Sequence, residues 1–103
     1  MAKHQKKWVF VLMSASWCQV CKTLEGSVIP QEQVQYFLAS HFICVKIDID
    51  QPYGQAMRKQ YHIAGVPCLM VFRADGRLQG QLSGAPRDAR AFVSIVSRLA
   101  AGH

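Results

Sequence analysis

Charge is scarce in this sequence. Of its 103 residues, 17% are charged and 50% are hydrophobic. That balance excludes an intrinsically disordered chain, which needs high net charge and few apolar residues. Cysteine is sparse as well. Four cysteines are too few, and too unevenly spaced, to staple a small disulfide scaffold, so the closest pair reads as chemistry rather than architecture. No apolar stretch approaches the roughly 20 residues of a membrane-spanning helix. Repeats, low-complexity tracts and linkers are absent too. The chain therefore reads as one domain over 1–103, large enough for one core and too small for two.

The charge that is present is mostly basic, with a net value of +6. It is scattered, from Lys3, Lys6 and Lys7 through Arg58 and Arg73 to Arg98. No run alternates basic and aromatic residues as a single-strand binding surface does, so nucleic acid is not an expected partner. Residues 1–7 read as a flexible basic segment. Together with the apolar run that follows, they imitate a secretory signal. That run is too short, and cleavage after it would discard the strand leading to Cys18. Ser16-Trp17-Cys18 also lacks the small residue that lipoprotein processing wants before cysteine. As written, the chain is expected to be cytoplasmic, or periplasmic if it is a mature or excised domain.

The chemistry-bearing stretch is Trp17-Cys18-Gln19-Val20-Cys21-Lys22. It lies where an apolar run gives way to a helical pattern. At a helix start, unpaired backbone N–H groups and the positive end of the dipole favour a thiolate at Cys18. Cys21 lies one turn deeper, placed to attack a disulfide formed on Cys18. Zinc sites use the same spacing, but Cys44, Cys68, His41 and His62 fall at no paired metal spacing. No metal or other cofactor is expected.

Trp8 to Met13 is a continuous apolar run rich in β-formers, suited to a central strand covered on both faces. A helix is expected from Cys18 to about Ser27, with Cys21, Leu24 and Val28 on its buried face. Pro30 then ends it and starts a second helical piece running to Ser40. Phe42 to Asp48 forms the next strand, with Val45, Ile47 and Ile49 on one side, and Cys44 is assigned to the core. Trp8, Phe37, Phe42, Phe72 and Phe92 join it there. A short helix over 54–61 precedes the strand Leu69 to Phe72. Ala74-Asp75-Gly76 turns the chain into an antiparallel edge strand. Asp88 caps a final helix whose apolar face is Phe92, Ile95, Val96 and Leu99. Strand, helical crossover, strand is a right-handed βαβ unit. The expected architecture is α/β, a four-stranded mixed sheet in order 2-1-3-4 with helices on both faces.

These residues resemble the thioredoxin superfamily over nearly the whole chain from Trp8 onward. The resemblance rests on the strand and Cys18-Gln19-Val20-Cys21, on Val45-Lys46-Ile47-Asp48-Ile49-Asp50, on Gly65-Val66-Pro67 and on Gly84. Lys22, Glu25 and the Pro30-to-Gln35 stretch make it most similar to the soluble thioredoxin-type domain of DsbD-like thiol reductases. The resemblance implies a minimal thioredoxin fold and a thiol–disulfide oxidoreductase, with Cys18 as nucleophile and Cys21 as resolving thiol. It implies a disulfide-containing protein substrate, an upstream thiol reductant, no membrane insertion and a monomer. Trp17, Val66 and Pro67, the last expected to be cis, would form the substrate groove.

Gln19 and Val20 supply no cation to stabilise the thiolate further, so a reductase or reductant carrier is favoured over an oxidant. The rival is a thioredoxin-like binding module for a protein or a soft metal ion, its cysteines not catalytic. Three features depart from the family. Its first strand and helix are missing. Leu12 stands where a buried aspartate is frequent, and Cys68 follows the proline where threonine or another small residue is usual. Glu25, at i+4 from Cys21, is the candidate substitute for the aspartate, its alternative being a surface glutamate paired with Lys22. Lys46 aligns with a family lysine near the site; a solvated strand-end lysine is the other reading. Cys68 reads either as a buried small residue or as a third redox thiol.

Overall fold

The computed structural model describes residues 7–102. The expected flexible segment over 1–7 lies outside the described residues except for Lys7. The elements are β1 (Trp8–Ser14), α1 (Gln19–Thr23), a π-helical turn (Leu24–Val28), α2 (Glu32–His41), β2 (Phe42–Asp48), α3 (Pro52–Gln60), β3 (Cys68–Phe72), β4 (Leu78–Ser83) and α4 (Ala89–Ala101). The sheet has the order β2-β1-β3-β4. β1 pairs with β2 in parallel, Trp8 opposite Phe42 and Ser14 opposite Asp48. It pairs with β3 antiparallel, Val9 opposite Phe72 and Met13 opposite Cys68. This is the architecture expected from the sequence. Among the described residues, no helix is long and apolar enough to cross a membrane.

The apolar run of β1 is covered on both faces because it is central, and alternate side chains point to opposite layers. Phe10 and Leu12 join Leu24, Val34, Leu38, Phe92 and Val96 on one side. Val11 and Met13 join Met57, Ile63, Met70 and the thiols Cys18, Cys21 and Cys68 on the other. Asp88 caps α4 as expected, its Oδ1 accepting the Ala91 N–H at 2.8 Å. Gly76 takes a φ of +94°, the left-handed conformation that the hairpin turn requires. Gly54 and Gly80 have a different cause. A Cβ on Gly54 would lie 2.1 Å from the Asp48 carbonyl oxygen, and one on Gly80 2.7 Å from that of Leu99. Both let a helix backbone approach the sheet.

Several local expectations need correction. Cys44 is exposed, not core, and Val45 is 41% exposed. Both lie on β2, which is an edge strand, so their side chains lack neighbours on one flank. Cys44 opens onto a groove of about 400 Å³ bordered by Leu12, Ile29 and Leu38. Trp8 and Phe37 are half-buried at the rim of the core, while Phe42, Phe72 and Phe92 are buried. The helix carrying the cysteines does not run regularly to Ser27: after Thr23 it widens into the π turn, which keeps Leu24 and Val28 buried. Pro30 lies before the cap of α2, whose first helical residue is Glu32, rather than in its first turn.

Candidate active site

The two thiols meet at the end of β1. Ala15 accepts the Cys18 N–H at 3.2 Å and so turns the chain from strand into helix. Cys18 is the residue before α1, with extended backbone (φ −92°, ψ 107°), and its Sγ accepts the Cys21 N–H at 3.2 Å. Sulfur here occupies the place of the oxygen that usually caps a helix N-terminus. The Cys18 thiol also lies 3.8 Å from the Val66 carbonyl oxygen, to which it can donate. Cys18 is 6% exposed and Cys21 wholly enclosed, so a partner can touch only the first. Burial pushes the Cys21 thiol above its ordinary value, and hydrogen bonding with Cys18 adds to this. The Ser14 hydroxyl and the Ala15 backbone N–H pull the other way without reversing it.

The Val66–Pro67 peptide is cis, and Pro67 is fully buried. The Pro67 carbonyl accepts the Gly84 N–H at 2.8 Å, and Ser83 Oγ donates to the Gly65 carbonyl at 3.1 Å. These bonds tie the segment to the end of β4. Trp17 is 67% exposed, and its Nε1 donates to Asp50 Oδ2 at 2.9 Å. The indole is thereby anchored to the loop after β2 beside Cys18.

Glu25 is not paired with Lys22. Its carboxylate forms an ion pair with Lys46 and accepts the Ser14 hydroxyl at 2.5 Å. Partial burial works to raise the Glu25 carboxyl. The hydrogen bond and charge of Lys46, together with Ser14, outweigh it and hold the group below its ordinary value. Lys46 stands directly opposite Leu12 in the β1–β2 register, beside the position where the aspartate would be. A small pocket of about 210 Å³ opens here, lined by Ser14, Lys22, Glu25, Lys46 and Asp48.

Cys68 is wholly buried in the same apolar layer as Cys18 and Cys21. Burial raises its thiol, only partly offset by hydrogen bonding from Ser83 and the Leu82 backbone. Among the described residues, no three His, Cys, Asp or Glu side chains converge to hold a metal ion. Sequence reasoning gave Ser14, Asp50 and Ser83 no role at the site. Asp50 had a signal as the end of the Val45–Asp50 stretch, and Ser14 as the polar residue ending an otherwise apolar strand.

Residues 1–74 match the family model described as thioredoxin-like. The thiol:disulfide interchange protein DsbD of Pseudomonas fluorescens is 30% identical over 95 residues, 89% of this chain and 16% of that protein. The disulfide bond reductase DsbH of Chlamydia pneumoniae is 23% identical over 105 residues, 92% of this chain and 63% of that protein. The chain thus spans only part of either relative. The crystal structure of the reduced C-terminal domain of Neisseria meningitidis DsbD superposes with a TM-score of 0.78 at 26% identity. The match covers 94% of this chain and 85% of that one.

Proposed function

This chain belongs to the thioredoxin-like family, and from that premise we propose that it is a thiol–disulfide oxidoreductase acting as a reductase or reductant carrier. The observation that carries the reading is the pairing of a capping, touchable Cys18 with an enclosed Cys21 whose backbone N–H points at the Cys18 sulfur. A Cys18 thiolate attacks a disulfide of a protein substrate. One partner sulfur leaves as thiolate and the other stays bonded to Cys18. Cys21, once deprotonated, attacks the Cys18 sulfur and expels the second partner sulfur. The substrate gains two electrons, and the chain is left with a Cys18–Cys21 disulfide for an upstream thiol reductant to reopen. Trp17, Val66 and Pro67 receive the substrate segment. Glu25 takes the proton of Cys21, its charge held by Lys46.

The direction of the reaction rests on Gln19 and Val20, which supply no cation to stabilise the Cys18 thiolate. A less stabilised thiolate makes a more reducing couple. The name of one relative, a disulfide bond reductase, supports it. Wild-type protein should accelerate reduction of a protein disulfide by dithiothreitol, and Cys18→Ser should abolish the acceleration. A Cys18→Ser variant as active as wild type would leave only the binding-module reading. Equilibration with glutathione should place the couple nearer the about −270 mV of thioredoxin than the about −120 mV of DsbA. A value at the oxidising end overturns the reductase assignment.

A further inference from the structure

The chain leaves α3 through a Schellman motif. The Ile63 N–H donates to the Arg58 carbonyl at 3.0 Å and the His62 N–H to the Lys59 carbonyl at 3.4 Å. Such a motif turns on one left-handed residue, usually glycine, which has no Cβ to obstruct it. Here that residue is His62, with a φ of +52°. A side chain kept on a backbone it disfavours points to a use for that side chain. His62 lines a cavity of about 560 Å³ together with Arg58 and Lys59 from the last turn of α3, and with Ile49, Asp50 and Ile63.

The cavity adjoins the substrate groove in two places. Asp50 holds Trp17, its Oδ2 accepting the indole N–H at 2.9 Å. Buried Ile63 leads into the Gly65–Pro67 segment, whose Val66 carbonyl lies 3.8 Å from the Cys18 sulfur. Among the described residues, the ion pairs are those of Lys46 with Glu25 and of Arg77 with Asp75. Arg58 and Lys59 therefore line the cavity with no carboxylate paired to them. Asp50 is the single anion among the lining residues, and one of its oxygens is taken by Trp17. Basic residues in a last turn also suit the helix dipole. That accounts for Arg58 and Lys59, but not for a side chain on the left-handed residue.

We propose that this cavity is a docking subsite for an acidic segment beside the disulfide of the partner protein, a substrate class that rests on the dithiol reading above. Arg58 and Lys59 supply the charge, and His62 supplies a ring N–H that donates to a carboxylate. Asp50 sets the register, because it keeps a partner carboxylate away from Trp17 and toward the end of α3. The cations touch none of the reacting sulfurs, so the thiol–disulfide steps are unchanged. They raise the rate of encounter and hold the partner in place while Cys18 attacks. Arg58, Lys59 and His62 are all exposed, so the attraction is screened by salt, reaching about 30 Å at 0.01 M and about 3 Å at 1 M.

The test compares two synthetic peptides, each closed by an internal disulfide, with glutamates on both sides of the loop in one and glutamines in the other. The whole chain turns them over with dithiothreitol as reductant, and the readout is the ratio of kcat/KM for the two. A ratio cancels any change in fold or thiol reactivity that slows both peptides alike. Wild type should favour the glutamate peptide about tenfold at low ionic strength, since two exposed ion pairs are each worth up to a factor of about five. The preference should lie in KM and vanish in about 1 M salt. Arg58→Gln with Lys59→Gln should abolish the preference. Arg58→Glu with Lys59→Glu should invert it, an outcome that misfolding cannot produce. His62→Gly should weaken the preference while its thermal midpoint stays at or above that of wild type, because glycine relieves the left-handed strain. Equal turnover of the two peptides by wild type at low salt overturns the proposal. So does a preference that survives high salt or the loss of both cations, or one that His62→Gly leaves untouched. If wild type reduces neither peptide, the dithiol reading fails and the subsite with it, whereas equal reduction of both condemns the subsite alone.

Discussion

Gly54→Ala tests the packing beneath the site. The added Cβ would fall 2.1 Å from the Asp48 carbonyl oxygen and 2.9 Å from the Asp48 carbonyl carbon and the Ile49 Cα. All three are backbone atoms, so no flexible side chain can swing away. Reaching the 3.4 Å of an ordinary contact requires the first turn of α3 and the end of β2 to separate by roughly 1 Å. Overpacking of this kind costs about 1–3 kcal/mol and sometimes more. The better helix propensity of alanine returns at most about 1 kcal/mol. The contact is with rigid backbone on both sides, which favours the upper part of the range, so a net loss of about 2 kcal/mol is expected. For a domain of this size that lowers the thermal midpoint by about 8–16 °C. The Asp48 carbonyl also accepts the Gln51 N–H at 3.1 Å, and the same loop carries the Asp50 carboxylate that holds Trp17. Gly26→Ala is the control, because nothing lies within 4 Å of its Cβ. That variant should match or slightly exceed wild type. Urea and thermal unfolding followed by far-ultraviolet circular dichroism would measure both. A Gly54→Ala protein within about 0.5 kcal/mol of wild type, the usual scatter of a surface change, would refute the close-approach argument.

Two further outcomes follow from the charges and the corrected core. Lys46→Met should cost up to about 1 kcal/mol at neutral pH, since Lys46 is largely exposed. Glu25 is depressed in the folded state, so the pair's contribution is complete above the carboxyl's ordinary value of 4.5 and is lost as pH falls through its lower folded value. Urea midpoints of variant and wild type should therefore converge in acid, and a constant gap from neutral to acid would exclude the ion pair as its cause. Cys44→Ser should change stability by no more than about 0.5 kcal/mol, as an exposed edge-strand change does, and a loss on the scale of a buried-core substitution in the same urea titration would restore the core assignment.

What was legible in the sequence was whatever a local pattern enforces. The β-formers from Trp8 to Met13, the Gly76 turn and the Asp88 cap each follow from a few neighbouring residues, and each forms as expected. Cys18 and Cys21 were legible because their spacing at a strand-to-helix junction carries the chemistry by itself. Cys44 was misassigned because hydrophobicity does not say which strand of a sheet is outermost. The partner of Glu25 was not legible for a related reason. Helical spacing offers Lys22, three residues back, whereas strand pairing brings Lys46 from a separate element to a place beside Leu12. Ser14 went unnoticed because a serine at a strand end is ordinary until burial and a short hydrogen bond single it out. The π turn after Thr23 has no sequence mark in glycine or proline, and no physical cause for it is evident beyond the burial it gives Leu24 and Val28.

The strand register has a consequence for biosynthesis. The thiols of Cys18 and Cys21 leave the ribosome early, but the surfaces that enclose them come late. β3 must pair with β1 across some sixty positions, and β4, which ties down the Gly65–Pro67 segment, follows only after it. The opposite apolar layer waits longer still, for Phe92, Val96 and Leu99 of the last helix. Pairings so distant along the chain form slowly compared with local ones. A domain also folds as a unit once its chain has emerged, at a synthesis rate of about 5–20 residues per second. The nascent chain therefore carries its reactive pair unshielded for several seconds, open to any oxidant or thiol near the ribosome exit, and gains selectivity toward partners only once α4 has packed.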